Sequence, residues 1–249
     1  MHLDRLYRVE GVLITRTTTP PRQILFNLRM REFWSGDLGL TLLTISLVIL
    51  VFIITPLREA GLPGRIVFEL IVVSLMLFGA LAAEQSRFAR LAVIAFVLIT
   101  AAFLGAGRLH PTPFLHQLGG VLSTITLLLY VRIVLIVMFR GGPVIWSRIQ
   151  GSVSAYLLLG MAWASAFQVL EQFRPGSFHF VTAPMDFDQL ITKLTYFSFC
   201  TLTTVGGEVA PVSPFARSLT IAESMVGQLF PAILIGTLVA MAMQSRTNS

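Results

Sequence analysis

Between two long apolar segments lies Thr195-Tyr-Phe-Ser-Phe-Cys-Thr-Leu-Thr-Thr-Val-Gly-Gly-Glu-Val-Ala-Pro-Val-Ser-Pro214, a run rich in aromatic and hydroxyl side chains. It passes through Thr203-Thr204-Val205-Gly206-Gly207 and then presents an acid, Glu208. No serine–histidine, cysteine–histidine or two-carboxylate arrangement lies within the apolar segments, so the chemistry on offer is not that of an enzyme. What the run offers is carbonyl oxygen. A short helix that stops inside a membrane and hands over to a glycine-containing loop presents peptide carbonyls that can replace the water shell of a small cation. Irregular backbone at that depth is tolerated only where it is buried in protein or lines a water-filled path.

Such a loop needs helices to hold it. The 249 residues are 55% hydrophobic and only 12% charged, against about a quarter charged in ordinary soluble domains. The expected class is an all-α integral membrane protein. Segments close to the ~20 apolar residues of a bilayer-crossing helix fall at 38–57, 66–83, 89–107, 114–139, 149–172 and 215–243. Six transmembrane helices follow, with a re-entrant segment over 187–207 between the fifth and sixth. If the chain starts inside, cytoplasmic segments hold eleven Lys and Arg against six outside. That fits the positive-inside tendency and puts both termini in the cytoplasm. The net charge of +6 arises from arginines between apolar spans, a topology signal, so no nucleic-acid partner is expected. One cysteine, Cys200, excludes an internal disulfide and a metal framework, and the arginine-dotted first thirty-odd residues carry no secretory signal.

Three parts follow along the chain. In residues 1–36, Leu3, Leu6, Tyr7 and Leu13, then Ile24, Leu25 and Leu28, recur at helical spacing. This predicts two amphipathic helices on the cytoplasmic lipid surface, with a partly ordered basic tail as the alternative. Residues 37–141 hold four spans, and Arg140-Gly141-Gly142-Pro143 is a natural hinge to residues 142–249. Voltage sensing needs several arginines on one helix, because each charge contributes only ~2.3 kcal/mol per 100 mV. The fourth span has Arg132 alone, which is expected to snorkel or pair. His110, His116 and His179 are expected in solvated outer loops, without a metal role.

Thr-Leu-Thr-Thr-Val-Gly, followed by an acid and Pro211-Val-Ser-Pro214, resembles the filter signature of the tetrameric pore-loop cation channels, especially the potassium-channel-like pores of bacteria. Arg217-Ser-Leu-Thr-Ile-Ala-Glu-Ser-Met-Val-Gly-Gln-Leu-Phe-Pro-Ala-Ile-Leu-Ile235 is similar to that family's inner helix. The resemblance covers the chain from about Ser152 onward. It implies a homotetramer in the plasma membrane, the inner membrane of a bacterium, with residues 142–249 as its pore domain. The family filter reads Thr-Val-Gly-Tyr-Gly-Asp, whereas this chain has Thr204-Val205-Gly206-Gly207-Glu208. Either the aromatic is deleted and Gly207 is the second glycine, or Gly207 replaces the aromatic and Glu208 the second glycine. The family's second glycine takes left-handed angles that strain a long side chain, which favours the deletion.

The resemblance assigns the residues of the site. The carbonyls of Thr204, Val205, Gly206 and Gly207 would line the ion path, with the Thr204 hydroxyl at its inner entrance. Thr203 would face the protein and, with Glu223, support the filter. Glu208 would either ring the outer mouth or sit buried against the pore helix. Tyr196, Phe197 and Phe199 are expected to pack on the fifth and sixth spans. Gly227 and Pro231 would form a gating hinge, since proline at 231 cannot donate to the Gly227 carbonyl. Gln228 and Thr237 would face the cavity. No cofactor is expected; K+ and Na+ are permeant ions. Without the aromatic the filter should be softer and less selective, as in cyclic-nucleotide-gated channels, whose filter also shortens to Gly-Glu. Two other readings are a channel that stays K+-selective despite the deletion, and a non-conducting membrane scaffold or sensor.

Overall fold

A computed structural model describes residues 8–9, 12–13, 37–55, 87–109, 112–139, 145–184 and 186–247. Four long helices and two shorter ones carry most of these residues. They are α1 (Asp37–Ile49), α2 (Arg87–Leu109), α3 (Pro113–Phe139), α4 (Ile145–Phe173), α5 (Phe187–Leu202) and α6 (Pro214–Thr247). Helices α3, α4 and α6 are long and apolar enough to cross a membrane, and α1 and α2 contain shorter apolar stretches. The expected span at 66–83 and the Arg140–Pro143 hinge lie outside the described residues.

Helix α1 continues as a π-helical turn over Leu50–Ile54. Its cause is local: both the backbone N–H and the hydroxyl of Thr55 donate to the Leu50 carbonyl, the hydroxyl at 2.9 Å, and a bond spanning five residues widens the coil. Leu43, Leu47, Leu50 and Val51 form one stripe on this helix at helical spacing. They pack with Val97 of α2, Leu127, Tyr130, Val131 and Val134 of α3, and Ala155, Leu158, Met161 and Ala162 of α4.

In lipid, apolar contact alone does not drive helices together, so packing and interhelical hydrogen bonds matter more. Hydroxyl pairs supply such bonds here. Thr44 and Ser154 join α1 to α4 at 2.8 Å, Thr100 and Thr126 join α2 to α3 at 3.1 Å, and the Thr124 hydroxyl donates to Ser165 of α4 at 2.9 Å. Helix α4 is thereby tied to the front helices on one side, while its other side receives α5 and α6.

The all-α expectation needs small corrections. Two short antiparallel pairs are present: β1 (Arg8–Val9) with β2 (Val12–Leu13), and β3 (Phe178–Phe180) with β4 (Val209–Pro211). The first falls within a stretch expected to be helical. β-branched Val9 and Val12 suit extended backbone, and Gly11 between them opposes a helix. The second expected amphipathic helix lies outside the described residues. His116 is not in a loop but in the first turn of α3, with its ring edge-on to Phe187 at 4.9 Å. His110 lies outside the described residues, and His179 is exposed on β3.

Candidate functional site

The segment expected to be re-entrant is built from α5 and the loop that follows it. Asp186 caps the helix, its carboxylate accepting from the Gln189 N–H at 2.8 Å, which satisfies one of the free donors of a first turn. Leu194, Phe197, Ser198 and Leu202 recur at three- and four-residue intervals and are all buried. They press α5 onto α4 and α6. Phe197 meets Phe167 of α4 and Phe178 of β3 at centroid distances of 5.2 and 5.6 Å, and Phe199 lies against Gly160 of α4. These two aromatics pack as expected. Tyr196 does not: it is 53% exposed, on the opposite side of the helix.

At its lower end the helix unwinds in steps. The N–H of Thr203 donates to Phe199 O at 3.0 Å, that of Thr204 to Thr201 O at 3.1 Å, and that of Val205 to Cys200 O at 2.9 Å. The chain therefore reverses and climbs back along α5. Over this reversal the sign of φ alternates. It is −92° at Thr203, +59° at Thr204 and +83° at Gly206, and positive at neither Val205 nor Gly207. The left-handed glycine is thus Gly206, not Gly207 as the deletion argument required. Thr204 takes the other left-handed position, which strains a β-branched residue. Two contacts hold it there: its hydroxyl donates to Thr203 O at 2.7 Å and accepts from Gln228 Nε2 of α6 at 3.2 Å.

All six residues from Thr203 to Glu208 are exposed in the single chain. Thr203 is exposed in the single chain, and its hydroxyl turns back to Phe199 O at 2.7 Å. Glu208 is exposed in the single chain. Above it the loop is fastened by β4, which pairs with β3 in the register Phe178↔Pro211, His179↔Ala210 and Phe180↔Val209. Glu171, at the end of α4, sets β3 by accepting from the N–H groups of Gly176 and Phe178 at 2.7 and 3.1 Å. The Ser177 carbonyl accepts from Val212 and Ser213.

Behind the pore helix, Glu223 of α6 is fully buried. Ser198 stands between it and α4, its hydroxyl within reach of Glu223 Oε1 at 2.5 Å and Gly160 O at 2.8 Å. One serine therefore ties three helices together. Glu223 Oε2 meets no hydrogen-bond partner among the described residues, so Oε1 carries the whole polar satisfaction of this group. Replacing Ser198 with Ala removes it, and a buried polar group left unpaired costs about 1–3 kcal/mol. Ser198→Ala should lower the thermal midpoint of detergent-purified protein by several degrees, while Thr237→Ala, whose hydroxyl bonds only its own helix at Ile233 O, leaves it nearly unchanged.

Lower on α6, Gly227 is packed against the pore-helix terminus. A Cβ there would overlap the Leu202 carbonyl oxygen and stand 2.9 Å from its carbon. That carbonyl also accepts from Tyr156 OH of α4 at 3.2 Å. Helix α6 is continuous through Pro231, and Gln228 and Leu229 beyond the contact are exposed.

The structure thus brings Thr203, Thr204, Val205, Gly206, Gly207 and Glu208 into one exposed loop, with Glu223 and Gly227 braced behind its helix. Residues 155–244, from within α4 to near the end of α6, match the family model described as ion channel. No curated protein and no solved structure matches the chain. That stretch is thus similar to an ion-channel segment, and three helices of the described residues are long and apolar enough to cross a membrane. Ser198, Gly160, Glu171 and Tyr156 were missed as parts of the site. A glycine within apolar α4 was the one available signal, since small residues in membrane helices mark close approach.

Proposed function

We propose that the chain is one subunit of a homotetrameric channel that passes monovalent cations, K+ together with Na+, across a plasma membrane such as the inner membrane of a bacterium. Six transmembrane helices per subunit place both termini in the cytoplasm, with membrane lipid around the assembly. The carbonyls of Thr204, Val205, Gly206 and Gly207 line the path, and Glu208 concentrates cations at its mouth. Thr203 and Glu223 support the loop, and Gly227 and Pro231 provide the bend by which α6 opens.

The observation that carries this reading is the five-residue alternation of φ sign from Thr203 to Gly207. In a β-strand successive peptide groups face opposite sides, whereas alternating handedness turns them toward a common side. A row of oxygens facing one way can replace a hydration shell once copies of the loop surround an axis. The complete exposure of the loop in a single chain supports the need for those copies.

The test is bilayer recording of purified protein under a KCl/NaCl gradient. Weak selectivity predicts a reversal potential close to zero. One near the potassium value would show that the shortened loop still discriminates, and would replace the weakly selective reading. No current from a verified tetramer would favour the scaffold.

A further inference from the structure

Helix α6 is anchored along its first half only. Ala216, Glu223 and Gly227 are buried, whereas no side chain described from Pro231 onward is. The last fixed points lie within one turn of each other. Gly227 stands against the Leu202 carbonyl, and Phe230 packs on the core shared by α1 to α4. Pro231 follows at once and cannot donate to the Gly227 carbonyl, so the helix is weakest where its support ends. Beyond this point residues 231–247 make about 25 Å of helix.

Tyr156 of α4 meets both fixed points. Its ring lies 5.8 Å from that of Phe230, tilted by 33°, and its hydroxyl donates to Leu202 O at 3.2 Å. The carbonyls of Phe199, Cys200 and Thr201 at the end of α5 accept from N–H groups of the loop, but Leu202 O accepts from none of them. A helix ends on carbonyls that need partners from elsewhere, and here α4 supplies one. One side chain thus holds the end of the pore helix by its oxygen and the weak point of α6 by its ring. The two contacts are chemically separable: phenylalanine at 156 would keep the second and lose the first.

We propose that Tyr156 is a latch that keeps α6 straight across Pro231, and that α6 bends when Phe230 leaves it. Gly227 is pressed on backbone, so a bend turns about that point and carries the Phe230 ring past Tyr156. This rests on the channel reading, in which bending of α6 opens the pore, and it names the contact that keeps the pore shut. Tyr156 is a positioning residue: it touches no ion and acts through Phe230 and Leu202.

The experiment compares the whole chain as wild type, Tyr156→Phe, Tyr156→Leu, Phe230→Leu and the Tyr156→Leu/Phe230→Leu pair in two assays. Bilayer recording reads open probability and unitary current. Electron paramagnetic resonance reads the separation of nitroxide labels on Val153→Cys of α4 and Val239→Cys of α6, both exposed positions. Labelled protein is diluted into unlabelled copies, and Cys200 is buried. Tyr156→Phe should raise open probability about two- to tenfold, the range of one neutral hydrogen bond, with unitary current unchanged. Tyr156→Leu should raise it further and shift the label separation. Phe230→Leu should add little in the Tyr156→Leu background, because its partner ring is already gone.

From a conducting wild type, an open probability unchanged or lowered in both Tyr156 variants overturns the latch, whatever happens to the thermal midpoint, which a merely structural side chain also moves. An altered unitary current at constant open probability overturns it as well, because the effect then lies in the loop. A wild type that never conducts sinks the channel reading alone. The labels then decide the latch: a separation shifted in Tyr156→Leu supports it, and an unchanged one refutes it.

Discussion

Gly227→Ala should prevent α6 from packing natively against the end of α5. The added methyl carbon would overlap the Leu202 carbonyl oxygen and stand 2.9 and 3.0 Å from the carbonyl carbon and Cα of the same residue. These are backbone atoms at the end of the pore helix, so no side-chain rotation relieves the clash. Either α6 moves away, uncovering Glu223 one turn above, or α5 moves and carries the loop with it. Overpacking of this kind costs about 1–3 kcal/mol or more. Thermal melting and size-exclusion profiles in detergent measure it. Gly236→Ala is the control: nothing lies within 4 Å of its added carbon, and alanine is about 1 kcal/mol better than glycine in a helix. Position 227 should collapse while position 236 should hold or gain. Normal melting with altered opening in Gly227→Ala would mean that this glycine is needed for bending and not for contact.

The second large effect concerns positions 204 and 206, which share left-handed backbone at +59° and +83° but carry threonine and glycine. A residue held in such a region costs of order 1–3 kcal/mol unless it is glycine. Thr204→Gly should therefore raise the thermal midpoint of the purified protein even as it removes the Gln228 contact and the hydroxyl. Gly206→Ala should lower the midpoint by a similar amount, purely through backbone, because no atom lies within 4 Å of the new carbon. On the proposed channel function both changes should impair conduction in bilayer recordings, Gly206→Ala by abolishing current and Thr204→Gly by losing its hydroxyl. Opposite signs in stability with a shared loss of function would mark the strain at Thr204 as belonging to the site and not to the fold. Equal destabilisation by both would contradict it.

The elements that hold this loop were legible because they obey single-chain rules. Apolar runs predicted α1 to α4 and α6 within a few residues wherever they are described, and α5 (Phe187–Leu202) opens the segment expected over 187–207. The loop was legible as a loop because glycine pairs and an acid do not continue an apolar helix. What was not legible depends on which side of a helix meets which neighbour. Tyr196, Phe197 and Phe199 are alike in composition, and only the packing of Phe167 and Gly160 tells them apart. The left-handed position moved from Gly207 to Gly206 because the reversal is timed by the Val205–Cys200 hydrogen bond, a contact that no motif encodes. The strand pair above the loop is too short for its period-two pattern to emerge from sequence.

That strand pair has an evolutionary consequence. Because Phe178 is the register partner of Pro211, the pore helix and its loop leave and rejoin the rest of the chain at neighbouring points. The ends of α4 and α6 that flank this strand pair are thus held together independently of the length of the loop between α5 and β4. Residues can be lost from or gained by the loop without the two flanking helices having to be re-spaced. The segment behaves as a cassette, open to variation inside and constant at its seam.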